Sequence, residues 1–269
     1  MAGAVEELKK MAIVVRYEIL KHLRRKRIYV AITVFMLTAL ACVLVPAYFN
    51  APMPPDARTF GANYVNFLGI LELMTIICGT FFVGDAIASE FEHKTAFISF
   101  INPVKREVIV LGKYIAAFLP VALALSLYYL VGAVAMYTSY NEISVRFIMS
   151  YLLELLYLAS VIAFTMLFSS LFKRGILASI LSFILLFLVF PIISFILVFA
   201  GIYPIAVLTF AGQIVTEIFM DYPMMEEIYT GHFTFRLYHP MLIDSIISML
   251  AYVVVSLVIS TIVVKFKEV

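Results

Sequence analysis

The chain has 269 residues, of which 64% are hydrophobic and only 13% charged, and its mean hydropathy is +1.08. A soluble domain carries roughly 25% charged residues to coat its surface, so this composition excludes a soluble globule and defines a polytopic membrane protein. The net charge of +2 gives no support to nucleic-acid binding, and what matters is where the charges fall.

In chain order, residues 4–27 come first. Val5, Leu8, Met11, Ala12, Val15, Ile19 and Leu23 recur at helical spacing on one face, with Glu6, Glu7, Lys10, Glu18, Lys21 and Arg24 opposite. This predicts an amphipathic helix lying in the membrane surface, with a soluble amphipathic helix as the alternative. The cluster Arg24-Arg25-Lys26-Arg27 then reads as a topology anchor. The first apolar run is preceded by too long a basic segment, and itself runs too far, for a cleavable signal, so it reads as a retained anchor.

A helix rises ~1.5 Å per residue and a bilayer core is ~30 Å thick, so a span needs about 20 apolar residues. The candidates are 28–48, 64–84, 108–137, 148–171, 176–200 and 245–264. Pro120 and Pro191 fall inside the third and fifth and are the natural kink sites. The loop from Ala51 to Asp56 holds three prolines and marks a turn. Residues 202–243 include a short apolar stretch broken by Pro204, Gly212, Gln213 and Glu217; it predicts an external re-entrant or interfacial segment rather than a seventh span. The expected fold is therefore all-α, one transmembrane domain over 1–269 with six transmembrane helices. Sixteen of the 19 Lys and Arg residues fall on the side of the two termini, and only Arg58, Arg146 and Arg236 on the other. The positive-inside rule then predicts a multi-pass plasma-membrane protein with cytoplasmic N- and C-termini.

Cys42 and Cys78 lie inside apolar runs and read as buried structural thiols. Glu72 is the carboxylate most clearly within a span. It either lines a cavity, a dimer interface or a proton-sensitive site, or bonds a neighbouring helix as a protonated acid. Glu154 is expected nearer the outer rim. Met220, Met224, Met225, His232, His239 and Met241 carry copper-type donors but lack tight spacing, so a packed external cap is the expected arrangement, with Asp221, Glu226 and Glu227 as solvated charges on it. No protease, hydrolase or channel-filter motif marks a catalytic site, and none of these residues forms a metal-ligand pattern.

The cytoplasmic loop 85–106 is the most informative segment. It reads Ser89-Glu90-Phe91-Glu92-His93-Lys94-Thr95, then an apolar stretch, then Pro103-Val104-Lys105-Arg106 and Leu111-Gly112-Lys113. This resembles the ABC-2-type permeases, the membrane subunits of ATP-binding-cassette exporters, which typically read Ser-Glu-x-Glu-x-Gly-Thr, Pro-Val-x-Arg and Leu-Gly-Lys. Lys94 stands where the family usually has glycine, which predicts an unbroken helix there. The resemblance implies a dimer with a second permease copy or paralogue, and a separate ABC ATP-binding subunit docked on each half. ATP and Mg would be held by that partner, with no cofactor on this chain; the chain is a transport subunit, not an enzyme, and has no phosphate-cradling G-x-x-x-x-G-K-[ST] sequence. Loop 85–106 would be the coupling element, with Glu90, Glu92, Thr95, Pro103, Arg106 and Lys113 transmitting the motor's motion. The implied cargo is a hydrophobic or amphiphilic substrate such as a lipid, drug or peptide, with membrane lipid around the spans. The competing functions are a polytopic scaffold or enzyme acting without an ATPase, and the permease of a copper-enzyme maturation system.

Overall fold

The computed structural model describes residues 2–92, 105–229 and 234–267. Among them, six helices are long and apolar enough to cross a membrane: span 1, Arg27–Tyr48; span 2, Ala57–Glu92; span 3, Arg106–Tyr140; span 4, Val145–Leu171; span 5, Gly175–Phe199; and span 6, Leu242–Phe266. The fold is all-α and polytopic. Lys94, Thr95, Pro103 and His232 lie outside the described residues, and with them the expected continuation of helix through Lys94.

Span 4 is the central post. Tyr157, Leu158, Val161, Ile162, Ala163 and Met166 are fully buried, and spans 2, 3 and 6 lean on it. Close approach is allowed where side chains are missing: a Cβ on Gly79 of span 2 would stand 2.7 Å from Val161 Cγ1. Small residues at helix contacts let backbones come together where lipid offers no hydrophobic drive. Span 1 buries a single stripe, Ile28, Ala31, Phe35, Ala39 and Cys42, at the 3–4-residue period of one helix face. Cys42 and Cys78 are both buried free thiols.

The prolines act differently. Span 3 runs unbroken through Pro120. In span 5 the turn before Pro191 widens into a π-helical stretch, Leu185–Val189, which makes room for a ring that lacks an N–H and would clash with the preceding turn. Span 2 breaks without proline: Leu68 and Gly69 both have positive φ (55° and 64°), splitting it into Ala57–Val65 and Ile70–Val83.

The N-terminal helix, Ala2–Arg24, turns into span 1 through Lys26, whose φ of 58° is left-handed. Its face toward the bundle carries Met11, Val14, Glu18 and His22, about a quarter-turn from the apolar stripe read in the sequence. Glu18, expected on the solvent face, thus points inward. The stripe of Leu8, Ala12, Val15 and Ile19 borders an open groove beside Ile115, where a helix lying in a membrane surface needs its apolar side.

Beyond span 5 the chain re-enters the bundle. Helices Leu208–Gly212 and Ile214–Glu217 bury Leu208, Phe210, Ala211, Ile214 and Val215. Their deepest contact is Gly212 on Tyr157, twelve residues or about 18 Å along span 4. The segment therefore penetrates without crossing. It continues into a hairpin not read in the sequence, strands β1 (Met225–Tyr229) and β2 (Thr234–Tyr238), paired antiparallel with Glu227 opposite Arg236. Arg58 and Arg146 converge on Asp221 at 2.8 and 2.6 Å, and Arg236 lies 3.3 Å from Glu227; Asp221 and Glu227 stay exposed to solvent, as expected, and are paired as well.

Gly212 offers a test by sign. An alanine in an exposed helix is favoured over glycine by about 1 kcal/mol. A Cβ here would meet Tyr157 Cε2 at 2.6 Å, so Gly212→Ala should instead lower stability by about 1–3 kcal/mol. The melting temperature of the detergent-solubilised chain reads the difference, and an increase would contradict the insertion.

Candidate functional site

The ends of spans 2, 4 and 6 and the starts of spans 1, 3 and 5 meet at one end of the bundle, which also carries most of the basic residues. Lys113, two turns into span 3, is buried with its ammonium 2.5 Å from Glu18 and 2.6 Å from Glu90. A buried ammonium is tolerable only when paired. Here one carboxylate comes from the N-terminal helix and the other from the short helix Ala88–Glu92 at the end of span 2. Burial alone would raise the Glu18 carboxyl; the attraction of Lys113 and of Lys21 overcomes it and holds the group below its ordinary range. Gly112 is obligatory beside this trio, since a Cβ there would stand 2.8 Å from Val14 Cγ1.

Asp85 forms the second junction. It accepts two parallel hydrogen bonds from Arg27, both at 2.8 Å, and one from Arg25 at 2.7 Å. Two-pronged guanidinium contacts of this kind fix orientation as well as charge. Arg25 and Arg27 belong to the cluster read as a topology anchor, so part of that cluster clamps span 1 to span 2. Gly175 lets the start of span 5 lie against Asp85, where a Cβ would come within 2.6 Å of the Asp85 Cβ.

The remaining contacts serve helix ends. Glu92 accepts a hydrogen bond from the Gly175 N–H at 3.1 Å, placing a carboxylate at the N-terminus of span 5. Arg106 donates to the carbonyls of Val264 and Lys265 at 2.7 and 2.8 Å, closing the C-terminus of span 6. Lys267 donates to Ser170 and Phe172 at the end of span 4, and its ammonium lies 4.3 Å over the Phe91 ring. Ser169 Oγ accepts from the N–H groups of Ile87 and Ala88 at 3.0 and 3.2 Å.

Of the residues singled out in the sequence, Glu90 and Lys113 are in direct contact, while Glu92 and Arg106 each grip a different span. The candidates do not form one local cluster. Asp85, Glu18, Ser169 and Lys267 were missed. Asp85 alone had a usable signal, a carboxylate at a span end facing a run of four cations.

The second polar cluster lies between spans 2 and 4. Glu72 occupies the first turn after the Leu68–Gly69 break, and the Tyr157 hydroxyl donates to it at 3.4 Å. Glu154 is 2% exposed and accepts a hydrogen bond from Thr75. The expectation that Glu154 reaches the rim is corrected: nine residues into span 4, it faces the protein on the helix side of Tyr157 and Val161. Tyr129 and Ser150 extend the cluster at 3.0 Å, and Ser150 donates onward to the Val215 carbonyl at 2.8 Å.

In the cap, His239 Nδ1 lies 2.9 Å from Glu217, and its ring stacks on Tyr222 at 4.3 Å. Met220, Met224 and Met225 are exposed there. Among the described residues no group of three or more His, Cys, Asp and Glu side chains could hold a metal ion.

The protein is a six-helix membrane bundle whose helix ends are gathered by charged side chains on an amphipathic N-terminal helix, the end of span 2 and the start of span 3. The family model for ABC-2 family transporter proteins matches residues 14–191, and the chain belongs to that family. No curated protein matches it. The chain is accordingly a multi-pass membrane permease component of an ABC transporter, a family whose permeases pair with an ATP-binding subunit.

Removing Lys113 should leave two carboxylates facing each other in a buried site. Lys113→Met is expected to cost about 3–5 kcal/mol, and Glu90→Gln added to it should restore part of the loss. Thermal unfolding of the two variants checks this; equal stability would mean the trio is not coupled.

His22 predicts a pH effect. It is buried, lies tilted against the Phe82 ring at 5.2 Å, and has an Nδ1 without a partner among the described residues. Burial pushes its imidazole down to about 4 from 6.5, against the pull of Glu18. The native state therefore binds fewer protons than the unfolded chain between these values. Its contribution is complete above about pH 6.5 and declines as pH falls toward 4, by about 2 kcal/mol at pH 5. His22→Phe should flatten that part of the stability profile. Parallel acid losses in both proteins would exclude His22 as the cause.

Proposed function

We propose that this chain is the permease half of an ATP-driven exporter of hydrophobic or amphiphilic substrates, acting as a dimer with two separate ATP-binding subunits. The basic end of the bundle is its cytoplasmic face in the plasma membrane, and residues 85–106, with Lys113 behind them, are the coupling element. The observation that carries this reading is the set of contacts made on either side of that segment. Glu90 holds span 3, Glu92 holds the start of span 5, and Arg106 holds the end of span 6. A displacement delivered by a motor at this point reaches several spans through short, directional bonds. The sequence supports the orientation, since sixteen of its 19 basic residues gather at that end. Thr95 and Pro103 belong to the proposed element by resemblance to the family. Substrate identity is supported only by the family and by the apolar spans, and the cavity or dimer-interface role of Glu72 is proposed on its position within a span.

Affinity purification in mild detergent should recover an ATP-binding-cassette protein, and the isolated chain should hydrolyse no ATP. Glu92→Lys and Arg106→Glu should lower transport and substrate-stimulated ATPase activity together while the ATP-binding subunit remains bound. Unchanged transport in both variants would remove this segment as the coupling element, and ATPase activity from the chain alone would remove the assignment itself.

A further inference from the structure

Beside span 6 lies an open groove of about 700 Å³, between the helix face that runs from Asp244 to Ser256, span 4, and the chain leading into the re-entrant segment. Twelve residues separate Asp244 from Ser256, about 18 Å of helix, or slightly more than half of a ~30 Å hydrocarbon core. The groove is thus about one leaflet deep, and it ends near the hairpin side of the protein.

Its chemistry is uneven along that length. Phe164, Ile247, Ala251 and Val255 provide an apolar wall. Two of the hydroxyls are spent on the backbone, Ser248 donating to Ile205 at 2.9 Å and Tyr252 to Ala206 at 2.8 Å, while Tyr203 accepts from the Met241 N–H at 3.0 Å. Ser248 and Tyr252 therefore offer the groove their carbon surfaces. Asp244 is the one charged residue lining it, and among the described residues no hydrogen bond or ion pair engages its carboxylate. Its place in the first turn of span 6 is favourable to an anion, but the helix terminus leaves the side-chain oxygens open toward the groove end, next to the Tyr203 ring. A negative head position beside an aromatic ring, followed by a leaflet-length apolar wall, is complementary to one kind of molecule.

We propose that this groove binds a single cationic amphiphile, with its ammonium group at Asp244 and its hydrocarbon tail along span 6 over Ile247, Ala251 and Val255. The ammonium gains from the carboxylate and from the Tyr203 face, and the tail exchanges no apolar contact for water. This inference rests on the reading of the chain as a permease for amphiphiles and assigns the charge of the cargo and one place where it sits. A tail-only ligand would leave Asp244 unpaired, and an anionic head would be repelled by it.

The test uses the full chain alone, in a non-ionic detergent, so that it is independent of any ATP-binding subunit. A photoactivatable hexadecylamine and the matching hexadecanoic acid are cross-linked and the labelled peptides located by mass spectrometry. The amine should label residues of span 6 around Ala251 saturably and in preference to the acid. Asp244→Asn should weaken the amine's binding about tenfold, and Ala251→Trp, which fills the groove, should abolish labelling there. Asp244→Asn lies at the helix start and keeps the test valid should the tryptophan variant fail to fold. Equal labelling by the acid, or unchanged amine affinity in Asp244→Asn, would overturn the proposal. So would a disulfide between two copies through Ala251→Cys, since a second chain would then cover the groove. Saturable amine binding in a chain that recruits no ATP-binding subunit would instead uphold the groove and defeat the exporter reading, which keeps the two failures distinct.

Discussion

The arrangement at the basic end depends on one constraint: an ammonium cannot be left bare inside a bundle of apolar helices. Lys113 is buried, and it is made tolerable by carboxylates that arrive from two different elements. Neither Glu18 nor Glu90 could reach it unless the N-terminal helix lay flat on span 3 and span 2 closed with a short helical turn. Satisfying this charge therefore fixes where both elements sit. Gly112 completes the fit, because Val14 occupies the space its side chain would need. Loss of a partner from such a site leaves an uncompensated charge, so the trio specifies position more than it adds stability.

The same demand extends to the backbone. Every helix end carries N–H or C=O groups without partners in its own helix, and these need satisfaction wherever water is scarce. Arg106, Lys267, Glu92 and Ser169 all meet that need, each for a helix other than its own. The span ends are consequently tied to one another by directional bonds rather than by loop length. The opposite end is organised by another device, Asp221 drawing Arg58 and Arg146 together over the re-entrant segment.

Much of this could be read from residues alone. The six spans, the buried cysteines and the absence of a full crossing at 202–220 follow from hydropathy and helical period; of the two prolines read as kink sites, Pro191 lies next to a widened π-helical turn and Pro120 leaves its helix unbroken. Glu90 and Lys113 emerged from a family resemblance that the match over residues 14–191 bears out at the level of the family. What stayed hidden was partnership across long sequence distances. Glu18 looked like a solvent-facing charge because helical periodicity reports where apolar side chains lie and says nothing of a lysine 95 residues away. Glu154 was misplaced because distance from a span end does not reveal which side faces the protein. The hairpin was missed because its two five-residue strands break strict alternation, with Glu226 beside Glu227 and Leu237 beside Tyr238, and so give a weak signal beside long apolar runs. The break at Leu68–Gly69 carries no proline and is marked by two successive residues at positive φ, one of them not glycine.

Burial is shared unequally among the spans, and that bears on which of them can respond to a push. Span 4 is enclosed, whereas spans 5 and 6 turn most of their surface outward; span 6 is packed closely along span 4, and span 5 meets it through its first part, Gly175–Ile184. In span 6 the buried face is Ser245, Met249, Ser256, Ser260 and Val264, whose small hydroxyl residues let it lie close to span 4. Span 5 is held firmly at its start, where Glu92 and the glycines Gly84 and Gly175 bring backbones together, and then loosens through the π-helical turn before Pro191. A helix fixed at one end and softened at its middle can change direction without losing its grip on the element that moves it. On the proposed reading, this places the yielding part of the permease in the second half of span 5, while span 6, the Lys113 junction and span 4 stay as the frame against which it moves.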